Sequence, residues 1–264
     1  MSERLSAAFA RLKNTGSIGV FPYLTAGFPD PATCEALLDT IARSGADGIE
    51  LGIPFSDPLA DGVTMQRASA RALEHGVSLR SAIQMVARFR EKHQTPIVLM
   101  TYVNPVLALG VPRFVELAAD AGVDGLIVPD APMEEAEALQ AACAKRSVDY
   151  VYMVAPTSGD DRLAAVAPRA AGFVYCVALV GVTGARTSMS DELPTFLQKV
   201  RAHIKAPLVV GFGISRPEHV TALKGKADGA IVASALADLI ERTPPTDVVA
   251  TVGTFVTEFH AAAR

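Results

Sequence analysis

The sequence predicts one (β/α)8 (TIM) barrel with an extra helix at its N-terminus, a single domain over residues 1–264. Three observations point there. Eight short apolar runs rich in Val and Ile alternate with amphipathic segments, the signature of strands connected by helices. The runs are almost continuously apolar, as in a parallel sheet covered on both faces. No linker, sequence repeat or low-complexity segment breaks the alternation, and 264 residues is near the size of one such barrel. A doubly wound open sheet is the structural alternative.

Residues 1–16 set Leu5, Ala8, Phe9 and Leu12 at helical spacing with charges on the other face. They lack the apolar core and small-residue cleavage site of a signal peptide, so an ordinary amphipathic helix is expected. The predicted strands are residues 18–25, 48–53, 97–102, 125–129, 150–155, 173–178, 208–213 and 229–233. Helices are expected over residues 31–44, 63–73, 78–92, 111–121, 134–145, 160–167, 191–203 and 217–223. A short helix opens at Ser234, and residues 246–263 close the chain. The loop after the third strand, 104–110, is apolar; loop 181–190 after the sixth, with two glycines among threonines and serines, is expected to act as a lid.

Half the residues are apolar, and a net charge of −4 gives no reason to expect nucleic acid or an anionic membrane as partner. The longest apolar run, 172–182, has eleven residues and is too short to span a bilayer. Cys34, Cys143 and Cys176 are far apart with no CxxC pair, which reads as reduced thiols in a cytoplasmic protein.

A barrel of this kind carries its chemistry in the loops at the C-terminal ends of its strands. The second strand and its loop read ADGIELGIPFSDPLADGVTMQ over residues 46–66, with Glu50 inside the strand and Asp57 and Asp61 in the loop. Strand alternation sets Gly48, Glu50 and Gly52 on one face and Ile49, Leu51 and Ile53 on the other. The apolar face meets the helices, so Glu50 points into the barrel, where burial raises its pKa and suits it to giving and taking protons. The alternative is a buried acid satisfied by a neighbouring polar side chain. Asp61 either stays ionised and faces a ligand or caps helix 63–73. Asp57, in a Ser-Asp-Pro turn, is expected to shape the turn, and Asp130 to orient Glu50 or a loop. Tyr102, Asn104 and Tyr175 lie near strand ends, either reaching a substrate or packing at the rim.

Gly211 to Ser215 follows the seventh strand, and Ala233-Ser234 opens a helix after the eighth. Glycines admit close backbone approach to an anion, and a helix N-terminus adds its dipole, so these loops predict a phosphate site with Gly181 and Gly184 as a third wall. The alternative is that the glycines merely make tight turns. None of the seven lysines falls at the C-terminal end of a strand, which argues against Schiff-base chemistry. The five histidines fall in helical or connecting segments, so no His-ligated metal is expected. A phosphate pocket with carboxylates as acid and base fits a lyase or isomerase without a cofactor.

The segments FPYLTAGFPD, DGIELGIPFSDPLADG, LMTYVNP, GLIVPDAP, GVTGAR and GFGIS, in this order along nearly the whole chain, resemble the tryptophan synthase alpha subunit family. The resemblance implies a barrel that cleaves indole-3-glycerol phosphate to indole and glyceraldehyde 3-phosphate in tryptophan biosynthesis. It implies that Glu50 is the general acid/base and Asp61 the partner of the indole nitrogen, with Tyr175 beside the substrate. Gly184, Gly213 and Ser234 fall where the family holds phosphate, and Thr183 matches a residue tied to closure of loop six. No cofactor or metal is implied in this chain; pyridoxal phosphate is expected in a partner beta subunit, in an alpha2beta2 assembly. The apolar residues 105–109 independently suggest a partner surface, with packing under a neighbouring loop as the alternative. Ala178, Leu179 and Val180 depart from the pattern where Ser or Arg is common, Ala233 where glycine is usual and Val63 where proline is common. A stand-alone lyase releasing free indole and a non-catalytic activator of a beta subunit are the other functional readings.

Overall fold

The computed structural model describes residues 2–177, 192–211 and 213–264. Thr183, Gly184, Gly181, the expected lid and residues 178–180 therefore lie outside the described residues. Nine strand segments form one parallel sheet: β1 (Gly19–Thr25), β2 (Ile49–Gly52), β3 (Ile97–Met100), β4 (Gly125–Ile127), β5 (Asp149–Tyr150), β6 (Tyr152–Val154), β7 (Val174–Val177), β8 (Leu208–Gly211) and β9 (Gly229–Val232). Their order, β5-β4-β3-β2-β1-β9-β8-β7-β6, brings the two parts of one predicted strand together at the ends. The expected continuous strand at 150–155 is thus corrected to two pieces. β5 bonds only to β4 and β6 only to β7, while Val151 between them donates its N–H to Leu126 at 2.9 Å. Strands tilted in a closed barrel are staggered, so one strand meets its two neighbours at different heights. The ring is an eight-stave barrel.

Around it lie α1 (Glu3–Thr15), α2 (Pro31–Arg43), α3 (Val63–Glu74), α4 (Leu79–Arg90), α5 (Val103–Leu109), α6 (Val111–Asp120), α7 (Glu137–Lys145), α8 (Asp160–Val166), α9 (Leu193–His203), α10 (Pro217–Leu223), α11 (Ser234–Arg242) and α12 (Val248–Ala263). The expected apolar loop 104–110 is corrected to helix α5. Its residues follow helical spacing, so Val106 is buried, Val103 and Leu109 are half-buried, and Leu107 faces solvent. Among the described residues no helix is long and apolar enough to cross a membrane.

Strand alternation produces two cores. Ile49, Leu51 and Ile53 join the outer one, against the helices, while Phe21, Val98, Phe173 and Val209 fill the barrel itself. The inner core also contains Leu5, Phe9 and Leu12 of α1. Phe9 stacks on Phe21 with centroids 5.6 Å apart, and Phe173 lies 5.9 Å from each. Gly48 makes room for this ring cluster: a Cβ there would come within 2.4 Å of Phe21. The N-terminal helix, set by the Ser2 cap and ended by Gly16 at φ 63°, therefore plugs one end of the barrel.

Buried acids hold that plug in place. Asp124 accepts hydrogen bonds from Ser2 Oγ at 2.6 Å, Arg4 at 2.8 Å, Arg90 at 3.0 Å and the Ile97 N–H at 2.8 Å. Asp47 accepts from Arg11, Arg264 and the Val20 N–H. Each buried charge is thus met by cations and backbone donors, the condition under which burial is tolerated. With the N-terminal end sealed, the cavity opens at the C-terminal ends of the strands.

Candidate active site

That cavity holds about 270 Å³. Its described walls come from almost every stave: Tyr23 on β1, Glu50 on β2, Met100 on β3, Ile127 on β4, Met153 on β6, Tyr175 on β7 and Ile231 on β9. Asp61, Val63 and Met65 close it from the loop after β2 and from α3, and Gly213, Ala233 and Ser234 from the opposite rim. The predicted residues Glu50, Asp61, Tyr175, Gly213 and Ser234 are therefore brought to one place.

Glu50 is 4% exposed, and its Oε2 is buried without a hydrogen-bond partner. The buried-but-satisfied alternative does not hold. Burial, and after it the negative charge of Asp61, push its carboxyl up to about 8. Asp61 is pushed up to about 6 by burial, against the hydrogen bond from the Tyr102 hydroxyl, which favours its charged form. At neutral pH the pair is accordingly one acid with a proton to give and one carboxylate. Asp61 does not cap α3: the N-cap is Gly62, with no side-chain bond.

Tyr102 is 1% exposed and does not line the cavity. Its hydroxyl accepts the Ala60 N–H at 3.0 Å, and its ring stacks on Phe55 at 5.3 Å, so it braces the loop that carries Asp61. Asn104 is exposed on α5, away from the cavity. Asp130 accepts the Val103 N–H at 2.8 Å and so fixes the start of α5 rather than Glu50. Asp57 is exposed, accepts from Ser56 Oγ at 2.5 Å, and shapes its turn through a carbonyl that accepts from Leu59.

At the far rim, α11 begins at Ser234, and its first N–H groups have no intrahelical acceptor. Gly213 sits beside it at φ 77°, a conformation that glycine adopts freely. Ala233 has φ −109°, so this position does not need glycine. Val63 is the first residue of α3, where proline would also fit, and is 72% exposed.

Sequence reasoning missed Tyr23 and the apolar wall of Met65, Met100, Ile127, Met153 and Ile231. The signal was present: extending the inward alternation from Glu50 to neighbouring strands selects Tyr23, Met100 and Ile127, once the register is known.

The chain is similar to known proteins along nearly its whole length. Residues 9–264 match the family model for the tryptophan synthase alpha chain. The tryptophan synthase alpha chain of Roseiflexus castenholzii is 48% identical over 254 residues, covering 96% of this chain and 97% of its own. That of Chloroflexus aurantiacus is 44% identical over 260 residues, with 98% of each chain covered. A crystal structure of tryptophan synthase subunit alpha from Legionella pneumophila superposes with a TM-score of 0.90 at 33% identity, covering 100% of this chain and 98% of that one. A structure of Mycobacterium tuberculosis tryptophan synthase gives 0.91 at 35% identity, covering 100% and 99%. In sequence and in fold alike, the chain belongs to the tryptophan synthase alpha chain family, a lyase of tryptophan biosynthesis.

Proposed function

We propose that this chain cleaves indole-3-glycerol phosphate to indole and glyceraldehyde 3-phosphate, with Glu50 as general acid/base and Asp61 as the charge partner of the indole ring. The observation that carries the proposal is the pair itself: a buried, proton-holding Glu50 and an ionisable Asp61 on one largely apolar cavity. Methionines and isoleucines make a wall suited to a flat aromatic ring. The opposite rim, with Gly213 and the start of α11 at Ser234, suits a phosphate through backbone N–H groups and the helix dipole.

The steps follow from these positions. Glu50 gives its proton to indole C3, and the ring becomes cationic. Asp61, as a carboxylate, accepts a hydrogen bond from the ring N–H and stabilises that charge. The bond from C3 to the glycerol carbon then breaks as in a retro-aldol step. Its electrons return to the ring, and the hydroxyl on the leaving carbon becomes the aldehyde. The hydroxyl proton returns to Glu50, so the acid is restored in each turnover. Tyr175, 6% exposed on the cavity wall across the barrel from Glu50, contacts the substrate. By the resemblance of their motif, Gly184 is assigned to the phosphate and Thr183 to closure of loop six.

The reaction takes place in the cytoplasm, consistent with the free buried thiols of Cys34, Cys143 and Cys176. The chain works in an alpha2beta2 assembly with a beta subunit that carries pyridoxal phosphate, and needs no cofactor of its own. The test is an assay of the pure chain on indole-3-glycerol phosphate with and without beta subunit. Indole release by the chain, accelerated by the beta subunit, is expected. Release without acceleration means a stand-alone lyase, and no release in either condition refutes the proposal. Glu50→Gln should lose about 100-fold or more in kcat; near-normal cleavage would remove Glu50 from the mechanism.

A further inference from the structure

Tyr23 is a buried hydroxyl on the cavity wall to which the steps above give no part. The β1–β2 register sets Tyr23 opposite Glu50, and both side chains point inward. The ring extends past Glu50: its hydroxyl rests against Gly52, where a Cβ would lie 1.8 Å from the oxygen. Gly52 is the next inward position of β2 toward the cavity mouth, the side from which Asp61 enters. The hydroxyl thus lies near both carboxylates; burial first, then the charges of Asp61 and Glu50, oppose its ionisation, against a contact with the Thr25 side chain that favours it. The Tyr102 hydroxyl already donates to Asp61, and the Tyr175 hydroxyl rests against Gly211 on the other side of the barrel. Glu50 Oε2 has no hydrogen-bond partner.

We propose that Tyr23 is a positioning residue for the proton transfers: its hydroxyl, seated over Gly52, donates to Glu50 whenever that carboxyl has given up its proton, and keeps it aimed at the substrate. The proposal deepens the function above and rests on it. Tyr23 keeps its own proton throughout, and only Glu50 exchanges one. The ionisable groups on the described walls are Asp61 from the loop after β2 and Tyr175 from β7, with Tyr102 behind the wall against Asp61; the other described lining residues carry no charge, and of their hydroxyls Thr64 is bonded to Asp238 and Ser234 lies at the far rim. An ionised Glu50 therefore depends on hydroxyl donors.

The variant is Tyr23→Phe, which keeps the ring and removes one buried hydroxyl. A donor to the charged form lowers a carboxyl pKa, so its loss raises Glu50. The alkaline limb of kcat/KM should move up by about one pH unit, and kcat should fall about tenfold with KM little changed. A purely packing role would alter melting temperature or KM and leave the limb in place. A second measurement needs no substrate: the protonated-carboxyl infrared band that Glu50→Gln abolishes is titrated in wild type and in Tyr23→Phe. An upward shift in the variant supports the proposal; an unchanged titration overturns it, whatever the kinetics show. If the wild-type chain fails to cleave indole-3-glycerol phosphate, the functional reading falls, while the infrared titration still decides the role of Tyr23.

Discussion

Glu50 and Asp61 enter one cavity as two acids with separated proton affinities, about 8 and about 6. Burial raises both, but Asp61 is answered by the Tyr102 hydroxyl and Glu50 Oε2 by nothing. Between those values Glu50 holds its proton and Asp61 does not. The expected profile of kcat/KM is a bell. Activity falls below about 6 as Asp61 is protonated and above about 8 as Glu50 ionises. A pH–rate series on wild type and Asp61→Asn checks this, the acid limb disappearing in the variant. A plateau running through both values would contradict the assignment.

The same raised pKa has a cost in stability. Glu50 ordinarily titrates near 4.5 and in the fold at about 8, so the folded state binds the extra proton between those values. Its stabilising effect is full below about 4.5 and is lost as pH rises through about 8. Glu50→Gln stays neutral throughout. Apart from a pH-independent offset, its unfolding free energy should gain on that of wild type across that window and level off above it, by about 5 kcal/mol in all, with the melting temperature rising in step. Parallel melting curves at every pH would mean that Glu50 is not held protonated by the fold.

Much of this was legible because the barrel imposes periodicities that sequence displays. The alternation of Gly48, Glu50 and Gly52 with Ile49, Leu51 and Ile53 gave the faces of β2, and the structure bears them out, with Glu50 on the cavity wall. Tyr102 shows the limit. Its place at a strand end was readable, but its contact with Ala60 spans 42 residues and depends on how the loop folds back. Tyr23 stayed hidden for a related reason: its role depends on register with Glu50, which no local pattern encodes. The apolar run at 104–110 misled because a short amphipathic helix and an apolar loop share a composition. Likewise, α1 was read correctly as a helix, but its role as a plug comes from Phe9 meeting Phe21 and Phe173.

Tyr102 gives a prediction complementary to that for Tyr23. Tyr102→Phe removes the donor that favours ionised Asp61 and the acceptor of the Ala60 N–H. Asp61 then binds its proton more tightly, so the acid limb of kcat/KM should move up by about one pH unit while the alkaline limb holds. Loss of the loop brace should also lower kcat/KM about tenfold. If the alkaline limb moved instead, the hydroxyl would be acting on Glu50.

The rim supplies the last prediction. Leu107 on α5 is 59% exposed, and Leu59 in the loop after β2 is 88% exposed, both on the face where the cavity opens. If the beta subunit docks on this rim, it removes both side chains from water. Val106 anchors α5 from below, so altering Leu107 leaves the helix packing intact. Leu107→Asp should therefore shift the stability of the isolated chain by less than about 0.5 kcal/mol. It should weaken beta-subunit binding by about tenfold or more, since a charge would be buried without a partner. Titration calorimetry against the beta subunit and melting of the isolated variant separate the two effects. Unchanged affinity would remove α5 from the interface.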